Sequence, residues 1–118
     1  MGDMSIHFDR SEFACQCGCG FDTVDSLLLE GLEALRAHFE KPIRITSGCR
    51  CVTHNVAVGG SLDSQHKKGR AADIAVSGTR PSDVAALAED LGLSVGRYVN
   101  FTHVDSRTGP PARWRQRA

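Results

Sequence analysis

The chain has 118 residues, 14 basic and 14 acidic, and a formal net charge of zero. That length sustains one hydrophobic core and not two, so a single domain over 1–118 is expected, with a cysteine-containing segment at 1–21 and a basic tail at 108–118. A neutral chain has no global field for a polyanion, no apolar run reaches membrane-spanning length, and "MGDMSIHFDRSEF" lacks the apolar core of a signal peptide; nucleic-acid binding, membrane insertion and signal-directed export are therefore not expected.

From Asp22 to Glu40 the residues Val24, Leu28, Leu32, Leu35 and Phe39 recur at helical spacing, which predicts one helix face capped by Asp22 or Thr23 and ended by Pro42. "PIRITS" alternates as a half-buried strand with Ile43 and Ile45 on one face. "VTHNVAVGG" reads as a short helical turn closed by Gly59, and "ADIAVS" as a strand beginning at Asp73. His66 and Asp73 then flank a loop entering that strand. A second helix is predicted from Pro81 to Leu91, with Val84, Leu87, Ala88 and Leu91 inward and Gly92 as its stop. "SVGRYVNFTHVDSR" predicts two strands, the second with Phe101, His103 and Asp105 on one face. The arginines of the tail read as a solvated surface. The elements together predict an α+β fold with a small antiparallel sheet and flanking helices.

Two imidazoles and a carboxylate are the ligand types of a catalytic zinc, whose fourth position is left to water. His66, Asp73 and His103 could supply them, and Gly69, Ala71 and Ala72 would leave room for a chain folding back on one ion. The same residues could instead be surface or hydrogen-bonding groups, because six intervening residues are not diagnostic. His7, His38 and His54 lack a partner at a useful spacing.

"ITSGCRCVTHNVAVGGSLDSQHKKGRAADIAV" together with "VGRYVNFTHVDSR" resembles the zinc peptidoglycan peptidases that include D-Ala-D-Ala carboxypeptidases and phage L-alanyl-D-glutamate endolysins. The shared pattern is S-G-x-R, then S-x-H-x-x-G-x-A-x-D, then H-x-D, and the leading "FACQCGCGF" is similar to compact, bacteriophage-encoded members. The resemblance implies a hedgehog/D,D-peptidase-like zinc fold, a zinc on His66, Asp73 and His103, and a cell-wall stem peptide as substrate. It also implies that Ser64 lies beside the ligand loop and that Arg50 faces the site, where a guanidinium could grip a carboxylate or an oxyanion; a structural ion pair is the other reading of Arg50. A monomeric hydrolase made in the cytoplasm and acting at the bacterial wall, in lysis or entry, is the expectation.

Relatives place an acid three residues, or a histidine two residues, before the last ligand; here Asn100 and Phe101 stand there. Neither can act as a base at neutral pH. Asp105, on the strand face of His103, is the substitute candidate, either as proton carrier or as a group orienting a ligand. The missing base keeps open an alternative function, a non-catalytic zinc-containing module that binds peptidoglycan without cleaving it.

Five cysteines remain: Cys15, Cys17 and Cys19 in "CQCGCG", and Cys49 and Cys51 in "GCRC". A structural zinc, inter-cluster disulfides and free thiols are all readings of them. One-residue spacings are tighter than the usual zinc ligand spacing, which favours free thiols or a redox-dependent staple over a second metal.

Overall fold

A computed structural model describes residues 2–116; Met1, and Arg117 and Ala118 of the basic tail, lie outside the described residues. The leucine stripe forms helix α1 (Ser26–Phe39), which buries Leu28, Leu32 and Leu35 completely and half-buries Phe39. Full burial of such side chains is worth about 1.5–3 kcal/mol each before the entropy of ordering them is counted. The helix starts later than the stripe predicts. The Asp25 N–H is taken by Gly69 O at 2.8 Å, so the chain just before it stays outside the helix and Asp25, not Asp22 or Thr23, becomes the N-cap. Glu40, with φ of 53°, closes the helix ahead of Pro42.

Strand β1 (Ile43–Ser47) follows, then the short helix α2 (Val52–Ala57), a single 3-10 turn at Gln65–Lys68, and strand β2 (Ala71–Val76). Helix α3 (Pro81–Asp90) buries Val84, Ala85 and Ala88. It ends at Asp90: Gly92, with φ of 84°, swings the chain so that Leu93 enters the core and Leu91, expected inward, is exposed. Strands β3 (Ser94–Arg97), β4 (Thr102–Asp105) and β5 (Arg113–Arg115) complete the fold.

The sheet order is β1-β2-β4-β3-β5. Its first four strands are antiparallel, as expected, but β5 runs parallel to β3 and makes the sheet mixed. The chain leaving β4 turns back past Gly109, so a strand laid on the far edge runs opposite to β4 and therefore with β3. Part of the tail thus becomes an edge strand, with Gly96 and Trp114 as registered partners and with Arg113 and Arg115 exposed, as expected of the tail arginines. The sheet and its helices form an α+β fold compatible with a small zinc peptidase.

Side chains alternate across a strand. Ala72, Ile74, Val76, Val95 and Val104 face α1 and α3 in the core, joined by Phe8 and Phe13 from the N-terminal segment. Asp73, His103 and Asp105 lie on the other face. One face of the sheet holds the fold, and the other is free to hold a site.

Candidate metal centre

Asp73 on β2 and His103 on β4 are directly registered partners, so the pairing that builds the sheet also brings them together. His66 comes from the 3-10 turn, which Ser64 caps by accepting the His66 N–H at 3.2 Å. The Arg50 N–H binds His66 O at 2.9 Å and ties that turn to the segment after β1. Gly69 ends the turn with φ of 68°, and a Cβ there would lie 2.5 Å from Thr23 O. The small size of residue 69 thus answers to the chain before α1 and that of Ala72 to the core, and not to crowding around an ion.

Three donor atoms converge. His66 Nε2 lies 3.2 Å and His103 Nδ1 3.0 Å from Asp73 Oδ1. Tetrahedral bonds of about 2.0–2.1 Å separate neighbouring ligand atoms by about 3.3 Å, so the spacing suits one zinc-sized ion. The outer nitrogens are occupied: His66 Nδ1–H donates to Gly48 O at 2.6 Å, and His103 Nε2–H donates to Asp105 Oδ2 at 2.7 Å. Each bond suits the tautomer that would turn the ring's lone pair inward to a bound metal, the arrangement common around metal-bound histidines, whereas without a metal the inner nitrogens can carry protons that Asp73 accepts. All three residues are buried. The donor set fits a divalent metal with a fourth position open to the neighbouring pocket.

Burial alone would raise the Asp73 pKa, yet bonds from His103 and His66 bring it down to about 2. Burial would likewise lower the His103 pKa, and the Asp105 and Asp73 carboxylates outweigh it and raise it. Asp105 is wholly buried, and its carboxyl stays well below the usual range because Arg107 and His103 overcome the effect of burial. Its Oδ1 accepts the Arg107 N–H and Nε–H at 3.1 and 2.9 Å, and its Oδ2 accepts Arg107 Nη2–H at 2.7 Å.

The pocket beside the donors has a volume of about 580 Å³ and is lined by Arg50, Asp63, Ser64, Tyr98, Phe101, Arg107 and Trp114 among others. Arg50 donates to Ser47 Oγ, Asn55 Oδ1 and Asp73 Oδ2 at 3.2, 3.3 and 3.4 Å. Three of its five N–H groups are thereby used, which leaves one on each terminal nitrogen. Phe101 stacks on Tyr98 with centroids 4.4 Å apart, while Asn100 lines a different, smaller pocket.

Sequence reasoning missed the far wall. Trp114 lies with its ring centroid 4.9 Å from that of His103 and donates its indole N–H to Tyr98 Oη at 3.0 Å; Arg107 sits 5.4 Å from the indole centroid. Gly96 permits this, since a Cβ there would stand 2.5 Å from the indole. The available signal was the lone tryptophan of the chain, set in an otherwise polar tail. His7 is paired with Glu33 on α1, and His38 meets Phe39 edge-to-face.

A family model described as Peptidase M15 matches residues 6–105, from the N-terminal segment to Asp105. No curated protein matches the chain.

Proposed function

The chain belongs to the Peptidase M15 family, and from that membership we propose that it is a zinc-dependent peptidase acting on the stem peptides of bacterial peptidoglycan. The observation that carries the proposal is the convergence of His66 Nε2, Asp73 Oδ1 and His103 Nδ1 beside an open pocket, with both outer ring nitrogens already bonded. A zinc held by these three atoms would polarise a carbonyl and acidify a water near neutral pH.

The chain's own groups would do the rest. Arg50 lines the pocket and has an N–H left on each terminal nitrogen, and these would grip a peptide carboxylate or the oxygen that gains charge during attack. Ser64 keeps the His66 turn in place through its cap and adds a hydroxyl to the wall. Trp114, Tyr98 and Phe101 offer apolar faces for a stem-peptide side chain. Asp105 has both oxygens committed to Arg107 and His103, which supports a positioning role over that of proton carrier. Among the described residues Asp63 is the pocket-lining carboxylate with no side-chain bond, which makes it the candidate for proton transfer.

Cleavage at a D-Ala-D-Ala terminus, or at an internal L-alanyl-D-glutamate bond in an endolysin role, would use the same ligands. The commitment of Asp105 to structural bonds also favours a second reading, a zinc-containing module that binds the wall without cutting it. Release of new amines from purified peptidoglycan, with mass spectrometry of the fragments, separates these readings. Zinc-dependent release that is lost in His66→Ala is expected; its absence at saturating zinc overturns the peptidase.

A further inference from the structure

The cysteines expected to be free thiols or a redox staple are not scattered. Cys15, Cys17, Cys19 and Cys51 each present a sulfur within 4.8 Å of the others. Three of the separations are 3.5 Å for Cys15 to Cys17, 3.6 Å for Cys17 to Cys51 and 3.8 Å for Cys15 to Cys51. A disulfide needs sulfurs about 2.0 Å apart. Four thiolates around a zinc at about 2.3 Å form a tetrahedron whose edges are about 3.8 Å. The observed spacing lies near the second figure and far from the first.

We propose that Cys15, Cys17, Cys19 and Cys51 form a tetrathiolate site for a zinc-class divalent metal, separate from the histidine and aspartate centre, which staples the N-terminal segment to the start of α2. Backbone donors already point at the sulfurs: the Cys51 N–H approaches Cys15 Sγ and the His54 N–H approaches Cys51 Sγ, each at 3.4 Å. The one-residue spacing that weakened this reading in the sequence is met by the backbone. Gly18, with φ of 82°, lets the loop coil so that successive cysteines face one point, and Cys15 N–H to Phe21 O at 2.7 Å closes it.

The odd cysteine is also accounted for. Cys49 is buried, and its sulfur lies 3.1 Å from Phe13 O and 2.9 Å from Phe21 O. Between two carbonyl acceptors it must be an S–H donor, so it remains a thiol beneath the site and is not a ligand. Binding converts the four thiols into thiolates and releases their protons to solvent, with no change in oxidation state. The consequence reaches the pocket, because Cys51 follows Arg50 directly and caps the helix that carries Asn55, a partner of the Arg50 guanidinium.

Cobalt(II) is the probe, added without oxygen to the reduced, metal-free full chain. A tetrathiolate site gives intense thiolate-to-cobalt absorption in the near ultraviolet, which a centre of two histidines and an aspartate cannot give. The band is expected at full strength in the wild type, in His66→Ala and in Cys49→Ser, and is expected to be weaker, with cobalt more easily removed by a chelator, in Cys17→Ser and Cys51→Ser; Cys19→Ser, at an exposed position, serves where those fail to fold. Elemental analysis is expected to find two zinc ions per wild-type chain and one in His66→Ala. No band in the reduced wild type, a band of undiminished strength in all three ligand variants, or a mass lighter by two hydrogens from a bridge among the four that re-forms despite added zinc would overturn the site. Because His66→Ala retains the band, failure of the peptidase reading would leave this result standing.

Discussion

Asp105→Asn gives the sharpest test of how the centre is built. The aspartate offers acceptors on two sides, Oδ2 to His103 Nε2 and Arg107 Nη2, and Oδ1 to Arg107 N and Nε. An asparagine of the same shape must turn its NH2 toward one of these sides, where it meets two donors. Kept with its oxygen toward His103, it preserves the tautomer but loses the Arg107 fork and the negative charge behind the imidazole. Losing such an outer partner weakens metal binding by about ten- to a hundredfold. Breaking a buried pair costs about 3–5 kcal/mol, and because the Arg107 side chain is 29% exposed the figure here is nearer 1–3 kcal/mol, on the order of 5–15 °C in Tm. The assay is amine release from peptidoglycan in buffered free zinc. A rate that is low at limiting zinc and returns to the wild-type value in excess is expected. A loss on the order of a hundred- to ten-thousandfold that zinc does not relieve would make Asp105 the proton carrier and refute the positioning argument.

Arg50→Lys keeps the charge beside Asp73 but loses the planar fork that also reaches Ser47 and Asn55. Turnover is expected to fall at least about tenfold with a Tm change under about 5 °C; a large Tm loss with turnover intact would make Arg50 a structural ion pair. Glu33 tethers residues 5–7 to α1 through Ser5 Oγ and the His7 N–H and Nδ1–H. Burial alone would raise its pKa, but these donors lower it, so its contribution to stability is present above the unfolded carboxylate value of about 4.3 and is lost as pH falls through the lower folded value. The Tm gap between wild type and Glu33→Gln is therefore expected to be open at pH 7 and to close on acidification below about pH 4, and a gap that persists there would show that the tether does not act through the carboxylate.

The periodic parts of the fold were legible because a single local rule decides them. The leucine stripe of α1 and the alternation of β4 needed no tertiary information, and the latter put His103 and Asp105 on one face, where they bond. What was not legible depended on partners distant in sequence. The start of α1 is set by Gly69 O, and β5 exists because an edge of β3 was vacant. Trp114 reaches His103 across a strand whose glycine clears the way, and no local pattern encodes that approach. The clustering of the cysteines was not legible for a related reason: spacing rules look at neighbours along the chain, whereas the sulfur of Cys51, far along it, lies beside those of Cys15 and Cys17.

The two candidate metal sites differ in what holds them before a metal arrives. At the histidine and aspartate centre each buried carboxylate already has cationic or N–H partners: Asp73 lies against Arg50, His66 and His103, and Asp105 against Arg107 and His103. Two guanidinium groups offset two carboxylates, so the chain can fold with these acids buried and unmetallated, and β2 and β4 fix their separation through the sheet. The cysteine loop has no such scaffold. Its coil is closed by few backbone bonds, Cys17 and Cys19 are exposed, and four thiols in contact offer each other only weak hydrogen bonds. A metal there would contribute directly to local folding. A metal at the sheet would instead enter a preformed cradle, as catalysis requires of ligands that must keep their geometry while a substrate comes and goes.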